Sequence, residues 1–221
     1  MGGARHVLPR ARLARVLLDV SVAVRAGTPE WPGDVPFGCG WTARIADGAS
    51  VNLSSISGSP HVGTHADAPL HVHDGWPASD ALPLTAFVGD AMVLDVSGSD
   101  AGPLTLGADD PRLAGVERLL LRTGRTIASG RFPDAWPVLT ATTAAELARG
   151  GVRLVGTDAP SVDARESRSL DVHRALFAGG AYVLENLDLR EVPEGRYELI
   201  ALPQRLVGLD AAPVRAVLRT S

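Results

Sequence analysis

Apolar positions along this chain fall into two periods. Six segments are short apolar runs rich in β-branched residues and bounded by turn residues: RVLLDVSVAV (15–24), AMVLDVS (91–97), ERLLLRTG (117–124), VRLVGTDAP (152–160), AYVLENLDL (181–189) and YELIALPQRL (197–206). That pattern predicts buried or half-buried strands. Two other segments carry helix start and stop signals. TATTAAELARGG (140–151) opens on a threonine, runs through Ala, Glu and Leu and stops at two glycines. SLDVHRALFAGG (169–180) offers Ser169 or Asp171 as its cap and ends the same way. A third, shorter helix is expected over DAAPVRAVL (210–218).

The 16 prolines and 24 glycines fall mostly between these elements, which implies many turns. No repeat, low-complexity tract or charged linker divides the chain. The expected architecture is α/β: a single domain over residues 16–221 with a mixed β-sheet and more strand than helix. Residues 1–15, MGGARHVLPRARLAR, read as a flexible leader without the apolar stretch of a signal peptide, and His6 within it reads as solvated. The nearby run VLLDVSVAV is broken by Asp19 and is too short to span a membrane.

Charge and cysteine content remove several function classes. The formal charge is −4 and the 21 basic residues are scattered, with no basic stripe interleaved with aromatics, so no nucleic-acid partner is expected. All 21 are arginine. A Schiff-base lysine, a lysine-held pyridoxal phosphate and a P-loop lysine are therefore excluded, whether or not a GC-rich genome is the cause. A single cysteine, Cys39, rules out an internal disulfide or a CxxC pair, and it reads as a small packed side chain. A cytoplasmic protein with a small-molecule partner and no membrane contact fits this composition.

The segment SPHVGTHADAPLHVHDG (59–75) holds four of the six histidines, at 61, 65, 71 and 73, with Asp67 among them. Pro60, Gly63 and Pro69 argue against a helix there. In an extended chain, positions 61, 63, 65 and 67 share a face, and Gly63 leaves room between His61 and His65 for an ion. Two other segments supply possible ligands. Glu185 falls on the strand face expected to hold Val183, Leu187 and Leu189, where a carboxylate needs a partner, a proton or a cation. His173 opens the second helix. The set His61, His65, Asp67, His173 and Glu185 suits Zn, Mn, Fe or Co better than Mg or Ca. Five ligands exceed one open tetrahedral site and suit two adjacent ions sharing Asp67 or Glu185. Ser161, between Asp158 and Asp163 in GTDAPSVD, lacks a GxSxG elbow and an obvious histidine, so a structural loop is expected there.

HVGTHADAPLH fits the HxGTHxDxPxH signature, and the chain resembles the metal-dependent cyclase-like hydrolases from about Val16 to its C-terminus. PEWPGD (29–34) and the tail GRYELIALPQRLVGLDAAPVRAVL (195–218) are most similar to the bacterial kynurenine formamidases (arylformamidases) within that family. The resemblance implies a swivelling β/β/α-type mixed sheet, a homodimer and two divalent transition-metal ions per subunit, with zinc foremost and Mn, Fe or Co as alternatives. It places His61, His65 and Asp67 on one ion. Asp67 and Glu185 would bridge to a second, which His173 completes. It makes His71 the proton donor and acceptor and sets Trp31 against the substrate, N-formyl-L-kynurenine. Two departures stand out: the extra residues before the family's usual start, and His73, which reads as solvated. Isatin hydrolase or another cyclic-amide or lactone hydrolase would share this metal centre. A metal-binding protein without turnover would have no use for His71.

Overall fold

The computed structural model describes residues 16–107 and 109–220, so the expected leader and His6 lie outside the described residues. In chain order the strands are β1 (Leu17–Asp19), β2 (Gly38–Ala43), β3 (Leu53–Ser57), β4 (His65–Asp67), β5 (Val88–Asp95), β6 (Gly102–Pro103) and β7 (Arg118–Arg122). They continue with β8 (Pro137–Val138), β9 (Leu154–Thr157), β10 (Tyr182–Glu185), β11 (Gly195–Ile200), β12 (Ala211–Pro213) and β13 (Val217–Arg219). The helices are α1 (Ala141–Arg149) and α2 (Asp171–Ala178).

Nine strands form one mixed sheet in the order β1-β13-β11-β5-β7-β9-β10-β4-β12. β5, β7, β9 and β10 run parallel at its centre, and the flanking pairs are antiparallel. The C-terminal stretch curls the sheet towards closure. β12 pairs with β4 at one edge, while β13 lies between β1 and β11 at the other. Between them Val214 N donates to Thr64 O at 2.9 Å, and Val20 N donates to Ala216 O at 3.0 Å.

Alternation along the strands fills both faces. Val93, Leu120, Leu154 and Leu184 join Phe87 and Leu199 inside the curl. Leu94, Leu119, Leu121, Val155 and Val183 face the other way, under Leu147 of α1 and Leu176 and Phe177 of α2. Burial on both faces is why these strands read as near-continuous apolar runs. Each such side chain contributes about 1.5–3 kcal/mol when fully buried.

Several expectations need correction. Residues 210–218 form no helix. They supply β12 and β13, and their backbone groups are satisfied across the sheet. Pro213 is tolerated because β12 is an edge strand, where a missing N–H breaks no ladder. Strand β1 is only three residues long, although Ser21 beyond it still bridges Leu187. The α1 cap is Thr140, whose side chain accepts from Thr143 N. For α2, neither Ser169 nor Asp171 caps: the cap position is Leu170, at φ 51°, with no side-chain cap bond. The β2–β3 ribbon went unforeseen because its apolar side chains are exposed, Trp41 by 59% and Ile56 by 75%. Cys39 lies exposed on that ribbon and is not packed.

Candidate metal centre

The β4–β10 register builds the centre. β4 lies antiparallel to β10, so His65 faces Glu185 and Asp67 faces Val183 across the pair. Both His65 and Glu185 therefore sit on the side of the sheet covered by α2, which delivers His173. Leu187 and Leu189 do not share that face as the alternation predicted; they pack inside the curl. Asn186, at φ 55°, turns the chain directly after Glu185 and breaks the alternation.

His61 comes from a bend before β4, not from a strand of four alternating positions. Gly63 makes that bend, at φ 76°. A Cβ there would lie 2.3 Å from Val24 Cγ2, so the missing side chain makes room for Val24 and not for an ion. Gly63 contributes through its backbone instead, as its carbonyl accepts from His65 Nδ1 at 2.9 Å.

Each of three imidazoles is anchored by one ring nitrogen and presents the other to Asp67, and those of His65 and His173 also face Glu185. His61 Nε2 donates to Asp210 Oδ2 at 2.9 Å, leaving Nδ1 3.0 Å from Asp67 Oδ1. His65 uses Nδ1 on Gly63, leaving Nε2 3.3 Å from Asp67 Oδ1 and 3.5 Å from Glu185 Oε2. His173 Nδ1 donates to Asp163 Oδ2 at 2.6 Å, leaving Nε2 3.1 Å from Asp67 Oδ2 and 3.2 Å from Glu185 Oε1. Anchoring the outer N–H is how proteins fix metal-ligating imidazoles. With neutral rings, the inward nitrogens and the carboxylate oxygens are lone pairs facing lone pairs. His65 Nε2 and Asp67 Oδ1 are both buried without a hydrogen-bond partner. A cation resolves that conflict, and the mixed N/O donor set suits a divalent transition metal.

Electrostatics agree. Burial opposes charge on these rings, but the Asp67 carboxylate outweighs it, pushing His61 up to about 10 and His65 to about 9. Burial likewise opposes charge on His173, yet its hydrogen bonds to Asp163, Asp67 and Glu185 raise it well above the usual range. For Asp67, burial is outweighed by His65 and His61, which hold its carboxyl well below the usual value.

The centre opens into a cleft of about 660 Å³ lined by His61, His65, His71, His173 and Glu185, together with Trp31. Trp31 meets Phe132 edge-on at 5.4 Å between ring centres and Trp136 at 6.2 Å. His71 stands beside these side chains, its ring 4.6 Å from that of His61. Its Nδ1 donates to Asp210 Oδ2 at 3.1 Å. His61, Asp67 and His71 bring one donor atom each within 4.8 Å of one another, as do His65, Asp67 and Glu185. His73 is outside the cleft, exposed and stacked on Trp76.

Two residues emerge that the linear pattern did not assign. Asp163 orients His173 and also accepts from Val172 N and His173 N, supplying from a loop the cap that α2 lacks. The His173 hydrogen bond outweighs burial and keeps its carboxyl low. Asp210 is 139 positions from His71, and no local signal connects them. Asp158 is structural: it accepts from Thr123 N, Thr123 Oγ1 and Gly124 N, and burial pushes its carboxyl up. Ser161 accepts from Asp163 N and has no histidine partner among the described residues.

Known proteins are similar to this chain over most of their length. The family model described as putative cyclase matches residues 18–164. The kynurenine formamidase of Paracidovorax citrulli is 46% identical over 214 residues, 93% of this chain and 97% of the relative. That of Salinibacter ruber is 49% identical over 207 residues, 92% of this chain and 97% of the relative. Among solved structures, a predicted metal-dependent hydrolase from Bacillus stearothermophilus superposes with a TM-score of 0.77 at 29% identity, covering 94% of this chain and 99% of the other. A model match over residues 18–164, joined to relatives of this identity and coverage, means that the chain belongs to the cyclase family.

Proposed function

We propose that the protein hydrolyses N-formyl-L-kynurenine to L-kynurenine and formate, using two divalent ions per subunit, with zinc as the native metal. The observation that carries the hydrolytic chemistry is the split of Asp67: Oδ1 faces His61 and His65, while Oδ2 faces His173. That division supports one ion on His61, His65 and Asp67 and another on Asp67, His173 and Glu185. For the substrate, support comes from the name shared by the Paracidovorax and Salinibacter relatives.

Ions held there supply an activated water and positive charge for the oxygen of the attacked carbonyl. The remaining steps belong to side chains. An aniline nitrogen departs poorly as an anion, so it must gain a proton as the C–N bond breaks. His71 takes the proton shed by the attacking water and returns it to that nitrogen through Nε2, the ring nitrogen Asp210 does not engage. Trp31, braced by Phe132 and Trp136, packs against the aromatic ring of the substrate.

We further propose a homodimer in the cytoplasm. The exposed apolar side chains of the β2–β3 ribbon support the dimer, and the single cysteine accords with a reducing compartment. Among the described residues no helix is long and apolar enough to cross a membrane. Turnover of N-formyl-L-kynurenine and of isatin by the same zinc-loaded preparation tests the substrate. Release of kynurenine at the higher kcat/KM is expected, and faster opening of isatin would replace the formamidase reading with a lactam hydrolase.

A further inference from the structure

We infer that Asp210 is the positioning residue for His71, holding the proton-carrying ring in register with the metal ligand His61. This rests on the hydrolytic reading of the centre but not on the identity of its substrate.

Asp210 stands at the position before β12, and the sheet register decides where that is. Ala211 pairs with Asp67 and Pro213 with His65, so β12 runs directly alongside the ligand-bearing strand. The pairing extends to Asp210 itself, whose carbonyl accepts from Ala68 N at 2.8 Å. Ala68 is followed by the short turn Pro69–His71, which carries the ring back over the cleft. Backbone pairing thus fixes the start of His71's turn and the origin of the Asp210 side chain together.

A single oxygen then serves two rings. Oδ2 of Asp210 accepts from His61 Nε2 at 2.9 Å and from His71 Nδ1 at 3.1 Å. The His71 bond sets the ring's tautomer: the proton on Nδ1 faces Asp210, and Nε2 has no protein partner among the described residues. Imidazole rotates freely about its side-chain bonds unless such a partner holds it, and misplacement by about 1 Å costs about a hundredfold in rate. The His71 side chain is 28% exposed, so surrounding packing alone does not lock it. Asp210 does, and it does so against the same ring that faces Asp67.

The test uses the zinc-loaded full chain and pairs Asp210→Ala with His71→Ala. With zinc in excess and content matched by elemental analysis, Asp210→Ala should lower kcat for a formanilide by about 10–100-fold with KM nearly unchanged. Asp210→Asn, which keeps an acceptor oxygen, should lose less. In the His71→Ala background, Asp210→Ala should change kcat by less than about twofold, because the ring it positions is gone. A histidine ¹⁵N spectrum adds a readout independent of turnover: His71 should appear as the Nδ1–H tautomer, and that signature should vanish in Asp210→Ala.

Three results would overturn the inference: the same slowing by Asp210→Ala with and without His71, an unchanged kcat in Asp210→Ala, or metal that cannot be restored by excess zinc. The last would make Asp210 a support of His61 alone. If formanilides are not substrates but isatin is, the same cycle run on isatin still decides the role of Asp210, while the formamidase reading fails separately.

Discussion

His61 and His65, with values raised to about 10 and about 9, carry protons at neutral pH that a divalent ion must displace. Metal uptake near pH 7 should therefore release protons, and apparent affinity should rise with pH until those values are passed. Calorimetric zinc titrations in two buffers of different ionisation enthalpy measure the release, and a buffer-independent heat would contradict it. The two kinds of histidine should also fail differently. His65→Ala removes a ligand and should lower metal content from near two ions per chain. His71→Ala should keep both ions and near-normal KM while turnover falls by about 10²–10⁴. An aryl formate ester, whose phenol needs less help to leave, should be slowed less than the anilide. Loss of an ion in His71→Ala would make that residue a ligand.

At the level of elements, α2 depends on a side chain outside itself. Asp163 accepts from Val172 N at 3.0 Å and His173 N at 3.1 Å, and it also orients the His173 ring. Asp163→Ala should therefore cost about 0.5–2 kcal/mol through the lost cap. It should also weaken metal binding by about 10–100-fold through the freed ring. Urea unfolding with a chelator present reads the first effect, and zinc titration of the folded variant reads the second. A change in stability with unaltered zinc affinity would show that Asp163 only caps. This element was half legible. The double-glycine stop and apolar spacing located the helix, but the cap came from a residue eight positions before Asp171, brought there by the loop.

For the whole molecule, the β2–β3 ribbon is the element left without a core of its own. Ile56 is 75% exposed, Trp41 59% and Leu53 56%, on a two-stranded ribbon that pairs with no other strand among the described residues. A bare two-stranded ribbon is marginal in water, so an apolar partner surface would stabilise it. Light scattering at micromolar concentration should give twice the chain mass, and Ile56→Asp combined with Trp41→Asp should shift the protein to monomer. A native chain that already scatters as a monomer removes the dimer.

Local composition was enough to mark the central strands, both helices and the histidine-rich segment that the structure gathers with Glu185 and His173. Short-range chemistry writes those features: β-branched runs favour strands, Thr140 and paired glycines bound a helix, and His61, His65 and Asp67 lie close together in the sequence. Tertiary structure decided the rest, wherever the partner is distant in sequence. The helix expected over 210–218 became two strands because β4 and β11 offered their backbone groups pairing that an isolated segment lacks. Glu185 reached His65 through strand register, Leu187 left that face because Asn186 turned the chain, and Asp210 met His71 only when β12 paired with β4. Such contacts have no period to read, since they are set by which edges meet when a curled sheet buries both its faces.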